Sequence, residues 1–194
     1  MMTTPFRRHI AQGFTLIELL IVVIIIAILA AIAIPQFANT SGDAQESALD
    51  ANLNTMRSAV ELYRVQHRNV YPSVAVSTGT NAAACTAAGG VAGTGAVNSL
   101  AAFREQLTNF STANGETCSV RVQASGFSLG PYLTAIPQEQ ISNPPSADVL
   151  IVSAGAQNGA PAATAPGYRF DNRSGRIDLN SLAIGRRGTA YWNY

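Results

Sequence analysis

A single carboxylate, Glu18, lies within residues 14–34, a run of 21 residues whose only other polar side chain is Thr15. A charge one turn inside an apolar span costs about 2.5–3.5 kcal/mol on insertion scales, so it requires a partner. Other residues with useful chemistry are few. Two cysteines, Cys85 and Cys118, and two histidines, His9 and His67, are too few for a zinc framework or a dense disulfide scaffold. His67 falls at the end of a helical pattern and reads as a solvated surface residue, with nothing nearby to make it a base for Ser or Cys. The sequence contains no G-x-S-x-G, Walker A or H-E-x-x-H pattern. No catalytic residue is assigned, and the chain reads as a non-enzyme.

Two further clusters carry charge or ligand atoms. Asp171-Asn172-Arg173-Ser174-Gly175, with Asp178, has the outline of a calcium loop. Its third position is Arg where an oxygen ligand is required, and no bidentate Glu follows at the needed distance. It reads as a hairpin turn, and no metal ligand is assigned. Arg169, Arg173, Arg176, Arg186 and Arg187 lie near Tyr191, Trp192 and Tyr194. Arginines with aromatics can bind single-stranded nucleic acid, but Asp171 and Asp178 are interleaved. A solvated edge or a subunit contact is the expectation, and nucleic acid is not expected as a partner.

The elements that position Glu18 come from composition. Hydrophobic residues are 47% of the 194 and charged residues 12%, with a net charge of +1 and no lysine. So balanced a charge provides no field to steer an acidic partner. The apolar excess is at the front, where residues 19–34 carry no polar side chain. Twenty-one helical residues reach roughly 31 Å, enough to cross a hydrocarbon core. Arg7 and Arg8 precede the span, which keeps its start cytoplasmic and places everything after residue 35 outside. Three readings compete. One is a cleaved secretory signal, for which Ala31-Ile32-Ala33 offers a site, although the stretch exceeds the usual 7–15 residues. Another is a signal anchor carrying an extracytoplasmic binding module that does not polymerise. The third takes the junction Gly13-Phe14-Thr15-Leu16-Ile17-Glu18 as functional.

That junction, within GFTLIELLIVVIIIAILAAIAIPQF (13–37) after a short basic leader, resembles the type IV pilins and the pseudopilins of type II secretion. The resemblance implies cleavage between Gly13 and Phe14 by a prepilin peptidase, N-methylation of Phe14, an assembly role for Glu18 and a helix kink at Pro35. It implies a structural subunit of a pilus or pseudopilus, polymerised into a helical filament. The partners it implies are further copies, the peptidase/N-methyltransferase, an inner-membrane assembly platform and minor pilins or pseudopilins. Before assembly the chain would be a single-pass bacterial inner-membrane protein, N-terminus inside; afterwards it would lie in a periplasmic or extracellular filament. No cofactor is expected. Major pseudopilins carry calcium in C-terminal loops, but their site is not recognised in this sequence.

Beyond Pro35 the helix resumes. Leu49, Leu53, Met56, Val60 and Tyr63 recur on one helical face, and the helix is predicted to end near His67-Arg68-Asn69, before Tyr71-Pro72. Residues 73–98, uncharged and rich in Ala, Gly, Ser and Thr, read as a loop. Asn98 or Ser99 could cap a short helix with Leu100, Phe103, Leu107 and Phe110 on one face. Residues 119–124 alternate like a strand, 148–153 read as a buried strand, and 168–179 as strand, turn, strand. Cys85 and Cys118, facing an oxidising exterior, are expected to form a disulfide. The fold class is therefore α+β and pilin-like: one long N-terminal helix with its C-terminal half on a small antiparallel sheet. The predicted organisation is a cleaved leader at 1–13, a membrane or filament-core helix at 14–35, an amphipathic half at 36–69 and a globular head at 70–194.

Overall fold

The computed structural model describes residues 14–153, 160–161, 165 and 167–194, without the side chains of 38 and 39. The leader, with Gly13, lies outside the described residues, as does most of the 154–166 loop. The chain divides into two compact units, Met1–Gly42 and Asp43–Tyr194. Helix α1, Leu16–Gln66, contributes to both and contains Pro35.

In the first unit α1 is apolar on every side, and its large side chains from Phe14 to Phe37 are half or more exposed. A helix hydrophobic all round is one meant to be covered by something outside its own unit. By length and composition it is able to cross a membrane.

In the second unit, the head, α1 is amphipathic. Leu49, Leu53, Met56, Val60 and Tyr63 are fully buried, as their spacing required. Glu46 and His67 extend the same stripe at both ends and are also buried. The helix stops where Arg68 and Asn69 turn left-handed, φ 55° and 68°. The Asn69 amide then caps the Arg64 carbonyl at 2.9 Å.

The stripe packs on a three-stranded sheet of β3 (Val149–Val152), β4 (Tyr168–Asp171) and β5 (Ile177–Leu179), in the order β3-β4-β5. The β4–β5 pair is the expected antiparallel hairpin, with Phe170 opposite Ile177. The β3–β4 pair is parallel, with Val149 opposite Tyr168. The 15-residue connection 153–167 is long enough for the crossover a parallel pair needs. Helix α3, Leu100–Thr108, begins where the Ser99 hydroxyl accepts from the Ala102 amide at 3.1 Å. It adds Phe103 and Leu107 to this core, with the Phe103 ring 4.7 Å from Phe170.

A second small core surrounds Cys85, Cys118 and Phe127. Two expectations change here. Residues 73–98 are not all loop, because Ala82–Ala87 forms a short helix, α2, that carries Cys85 inward. The strand expected at 119–124 is absent. The ladder is the two-residue pair β1 (Phe110–Ser111) with β2 (Thr117–Cys118). Gln123–Ser125 is then a single 3-10 turn that reverses at Gly126, φ 83°. The Val122 and Phe127 amides and carbonyls pair across that turn at 3.1 and 3.2 Å. Alternating apolar residues therefore line a hairpin turn there, because Gly126 supplies the left-handed conformation that an extended run lacks.

Candidate functional site

Among the sequence-derived site residues, Phe14 immediately precedes the Thr15 cap of α1 and Glu18 lies in its first turn. Thr15 caps the helix. Its amide and hydroxyl both donate to Glu18 Oε2, at 2.9 and 2.7 Å, and the Glu18 amide donates back to Thr15 Oγ1 at 3.3 Å. This is a capping box, in which residue N3 reaches back to the N-cap and satisfies donors the helix leaves open. An acidic group in the first turn also complements the helix dipole. Both side-chain bonds fall on Oε2; among the described residues Oε1 accepts none. Glu18 is thus satisfied within its own chain through one of its two carboxylate oxygens. Phe14, 84% exposed, precedes it, followed by the apolar helix with every large side chain open.

The prokaryotic N-terminal methylation motif matches residues 8–34. The type IV narrow pilus major component of Thermus thermophilus is 45% identical over 60 residues, 31% of this chain and 52% of that protein. The type IV major fimbrial protein FimA of Dichelobacter nodosus is 52% identical over 54 residues, 28% of this chain and 35% of its own length. Type II secretion system core protein G of Pseudomonas aeruginosa is 33% identical over 67 residues, 34% of this chain and 46% of its own. The N-terminal third is similar to that of type IV pilins and a type II secretion pseudopilin. The chain spans about half, or less, of the length of these relatives. No solved structure matches the chain.

In the head, Cys85 and Cys118 are joined in a disulfide, Cα–Cα 5.7 Å. The uncharged 77–95 segment around it is held by two carboxylates from outside. Glu105 takes the Ser77 hydroxyl, the Gly95 amide at 3.1 Å and the Thr94 amide at 3.0 Å. Glu116 takes the Thr80 amide at 3.0 Å and the Asn81 side chain at 2.5 Å. The sequence offered no periodic signal for these ties, because each carboxylate is reached by a loop remote in sequence.

His67 corrects the expectation of a solvated residue. It is 1% exposed, stacked on Tyr63 at 3.7 Å between ring centroids and 6° between planes. Nδ1 lies 2.8 Å from the Tyr63 carbonyl and Nε2 lies 3.0 Å from the Ser111 hydroxyl. A carbonyl only accepts, so Nδ1 carries the proton and neutral Nε2 accepts from Ser111. Burial pushes its pKa below the ordinary histidine value, opposed by the Tyr63 and Thr112 backbone. His67 sits one heptad step beyond Val60, and that continuation of the stripe was the available signal.

The arginine cluster is split: Arg173, Arg186 and Arg187 are exposed, as expected of a solvated edge, whereas Arg176 is half-buried and Arg169 is buried. Arg169 is 5% exposed and meets the buried Asp178 through Nε and Nη2, both at 3.0 Å. Arg176 reaches the same carboxylate at 3.1 Å. Arg187 pairs with Asp50 at 2.6 Å. Committed to carboxylates in this way, these arginines hold β4, β5 and the chain beyond them in place. The Asp171 carboxylate is consumed by its own turn, accepting the Arg173 amide at 2.9 Å and the Ser174 hydroxyl at 2.7 Å, in line with a hairpin. Among the described residues no group of three or more His, Cys, Asp or Glu side chains gathers as a metal site would require.

Proposed function

We propose that the chain is a structural subunit of a type IV pilus or type II secretion pseudopilus. A prepilin peptidase cuts between Gly13 and Phe14 and the new Phe14 amine is N-methylated. The apolar first unit, N-terminus inside, anchors the subunit in the inner membrane and then becomes filament core. An assembly platform and minor subunits complete the machine; no cofactor or catalytic residue enters this reading.

The observation that carries it is the single carboxylate at the head of a helix exposed on every side. Cleavage places a cationic amine four residues before Glu18. A neighbouring subunit's amine then finds Oε1 open in a poorly solvated setting, where a partner charge is worth more than on a wet surface. One such pair also sets the axial register of otherwise featureless Leu/Ile helices, as a buried polar group does in a coiled coil.

The test is the mass of the mature N-terminus together with electron microscopy of sheared surface or periplasmic filaments. A methylated N-terminal Phe14 in a filament subunit is the expected result. An uncut chain, or a cut after Ala33, overturns the reading in favour of a signal-anchored module or a secreted domain. Gly13→Val should leave the full-length precursor in the membrane, because a larger side chain before the cut obstructs the peptidase.

A further inference from the structure

One buried carboxylate of the head is unused by the reading above. Glu46, on α1, is 2% exposed. It accepts from the Arg186 amide, from the Tyr191 hydroxyl at 3.1 Å and from the Tyr194 hydroxyl at 3.2 Å. Arg187 Nε stands 3.7 Å from its Oε2. All four donors belong to residues 182–194.

The same segment closes on itself. Ile184 bridges Ala190, the Gly185 amide donates to the Thr189 carbonyl at 2.8 Å, and the Tyr191 amide donates to Ala183 at 3.0 Å. Its ties to α1 are Glu46, the Arg187–Asp50 pair, the Arg186–Asp43 pair at 3.7 Å and Arg57 Nη2 donating to the Tyr194 carbonyl at 2.6 Å. Arg176 adds a bond to the Trp192 carbonyl at 3.0 Å. Close approach is required: a Cβ on Gly185 would stand 2.9 Å from Glu46 Oε1 and 2.4 Å from the Tyr194 hydroxyl. Among the described residues its part in the main core is buried Tyr191, with partly buried Tyr194 packed against it.

We propose that residues 182–194 form a strap latched to α1 by ionised Glu46, opening as a unit when that carboxylate is neutralised while β3, β4, β5 and the disulfide-bonded core stay folded. The chemistry follows from the donor set. The Arg186 amide and the Arg187 guanidinium can only donate, so a proton on Glu46 takes acceptor capacity and charge from both, and only the Tyr191 and Tyr194 hydroxyls can accept that proton in return. The Arg186 amide holds the Glu46 carboxyl below the usual carboxylate range. Burial opposes this, and the Tyr191 and Tyr194 hydroxyls and Arg187 reinforce it. The charged and titratable groups around it are Asp43, Asp50 and Arg57 from α1 and Arg186, Arg187, Tyr191 and Tyr194 from the strap. A depressed carboxyl keeps the latch intact above the ordinary glutamate pKa of about 4.3; it is lost as pH falls through the lower folded value.

Hydrogen exchange of the full chain in detergent micelles tests this. Glu46→Gln at pH 7 should lower protection of amides 183–191 by about tenfold or more, the scale of losing charge-assisted bonds. Protection in β3–β5 should be unchanged. The wild type should show the same selective loss between pH 7 and pH 3, and the variant should not. Should Glu46→Gln fail to fold, Tyr191→Phe with Tyr194→Phe keeps both rings, removes both hydroxyl donors and should give a smaller loss in the same amides. In whichever variant folds, unchanged protection of 183–191, or loss spread evenly over β3–β5, overturns the strap.

Discussion

The two units use one helix in opposite ways. Within Asp43–Tyr194, α1 presents one stripe, from Glu46 to His67, and the head itself buries it. Within Met1–Gly42 the large apolar side chains of α1 have no such cover: Ile24, Leu29 and Ile34 are all half or more exposed. Each would gain about 1–2 kcal/mol on burying what it still exposes. The head therefore buries its own apolar stripe, while the first unit leaves its apolar side chains exposed. The polar residues follow the same division. In the head, carboxylates such as Glu46, Glu105 and Asp178 each hold a loop or strand. In the first unit the bonds that Glu18 makes among the described residues close its own helix cap.

The largest effect should come from removing the intersubunit pair proposed for Glu18. Glu18→Ala should still insert and be cut at Gly13, with head melting unchanged, but filament yield as sole subunit should fall below detection. Mixing with wild-type subunits should restore incorporation. Glu18→Gln sharpens the point, because its amide oxygen still caps Thr15 while the charge is gone. If Gln assembles as well as Glu, the residue's role is the cap and not the charge pair.

The reverse test belongs to the head. Phe170, fully buried and against Phe103, should cost about 3–5 kcal/mol when changed to Ala, read as a lower denaturation midpoint. Membrane insertion and N-terminal processing should be unaffected. Joint loss of both would mean the units are not the independent pieces their contacts describe.

What was legible in the sequence follows the same line. Period and composition revealed the exposed span, the buried face of α1 and the β4–β5 hairpin, because each repeats a local pattern. Glu18 stood out because a charge among isoleucines has no local excuse. Glu46 and His67 did not stand out, since their donors and acceptors arrive from residues 186–194 and from Ser111. The Arg169–Asp178 pair was visible as interleaved charges but not as a buried one, because β4 turned out to be the central strand. The parallel β3–β4 pairing depended on the course of a long connection, which strand pattern alone does not encode.

Within the head, the disulfide should matter somewhat less than the main core. Changing both Cys85 and Cys118 to Ser reopens a loop of about 34 residues, worth about 3–4 kcal/mol by loop entropy. Thermal melts of the two Ser variant against wild type should show it, and hydrogen exchange should place the loss around α2 and β2. Loss reaching β4 equally would merge the small core with the large one.

The smallest effect concerns His67 and separates two of the head's buried titratable groups by pH. Neutral His67 donates from Nδ1 to Tyr63 and accepts at Nε2 from Ser111, with burial lowering its pKa. An unfolded histidine takes its proton near 6.5, so below that value the unfolded chain binds more protons than the folded one. Stability is therefore full above about pH 6.5 and declines as pH falls towards the lower folded value, below which it levels off. Glu46 acts in a window further down, below the ordinary glutamate range. Urea midpoints measured at pH 7.5, 6 and 5 should fall in the wild type and stay flat over that range in His67→Gln. Nitrogen-15 shifts of the ring should show the Nδ1–H tautomer persisting at pH 6. An equal slope in wild type and variant, or an imidazolium at pH 6, would show that the stacked ring is charged and that its bond to Ser111 runs the other way.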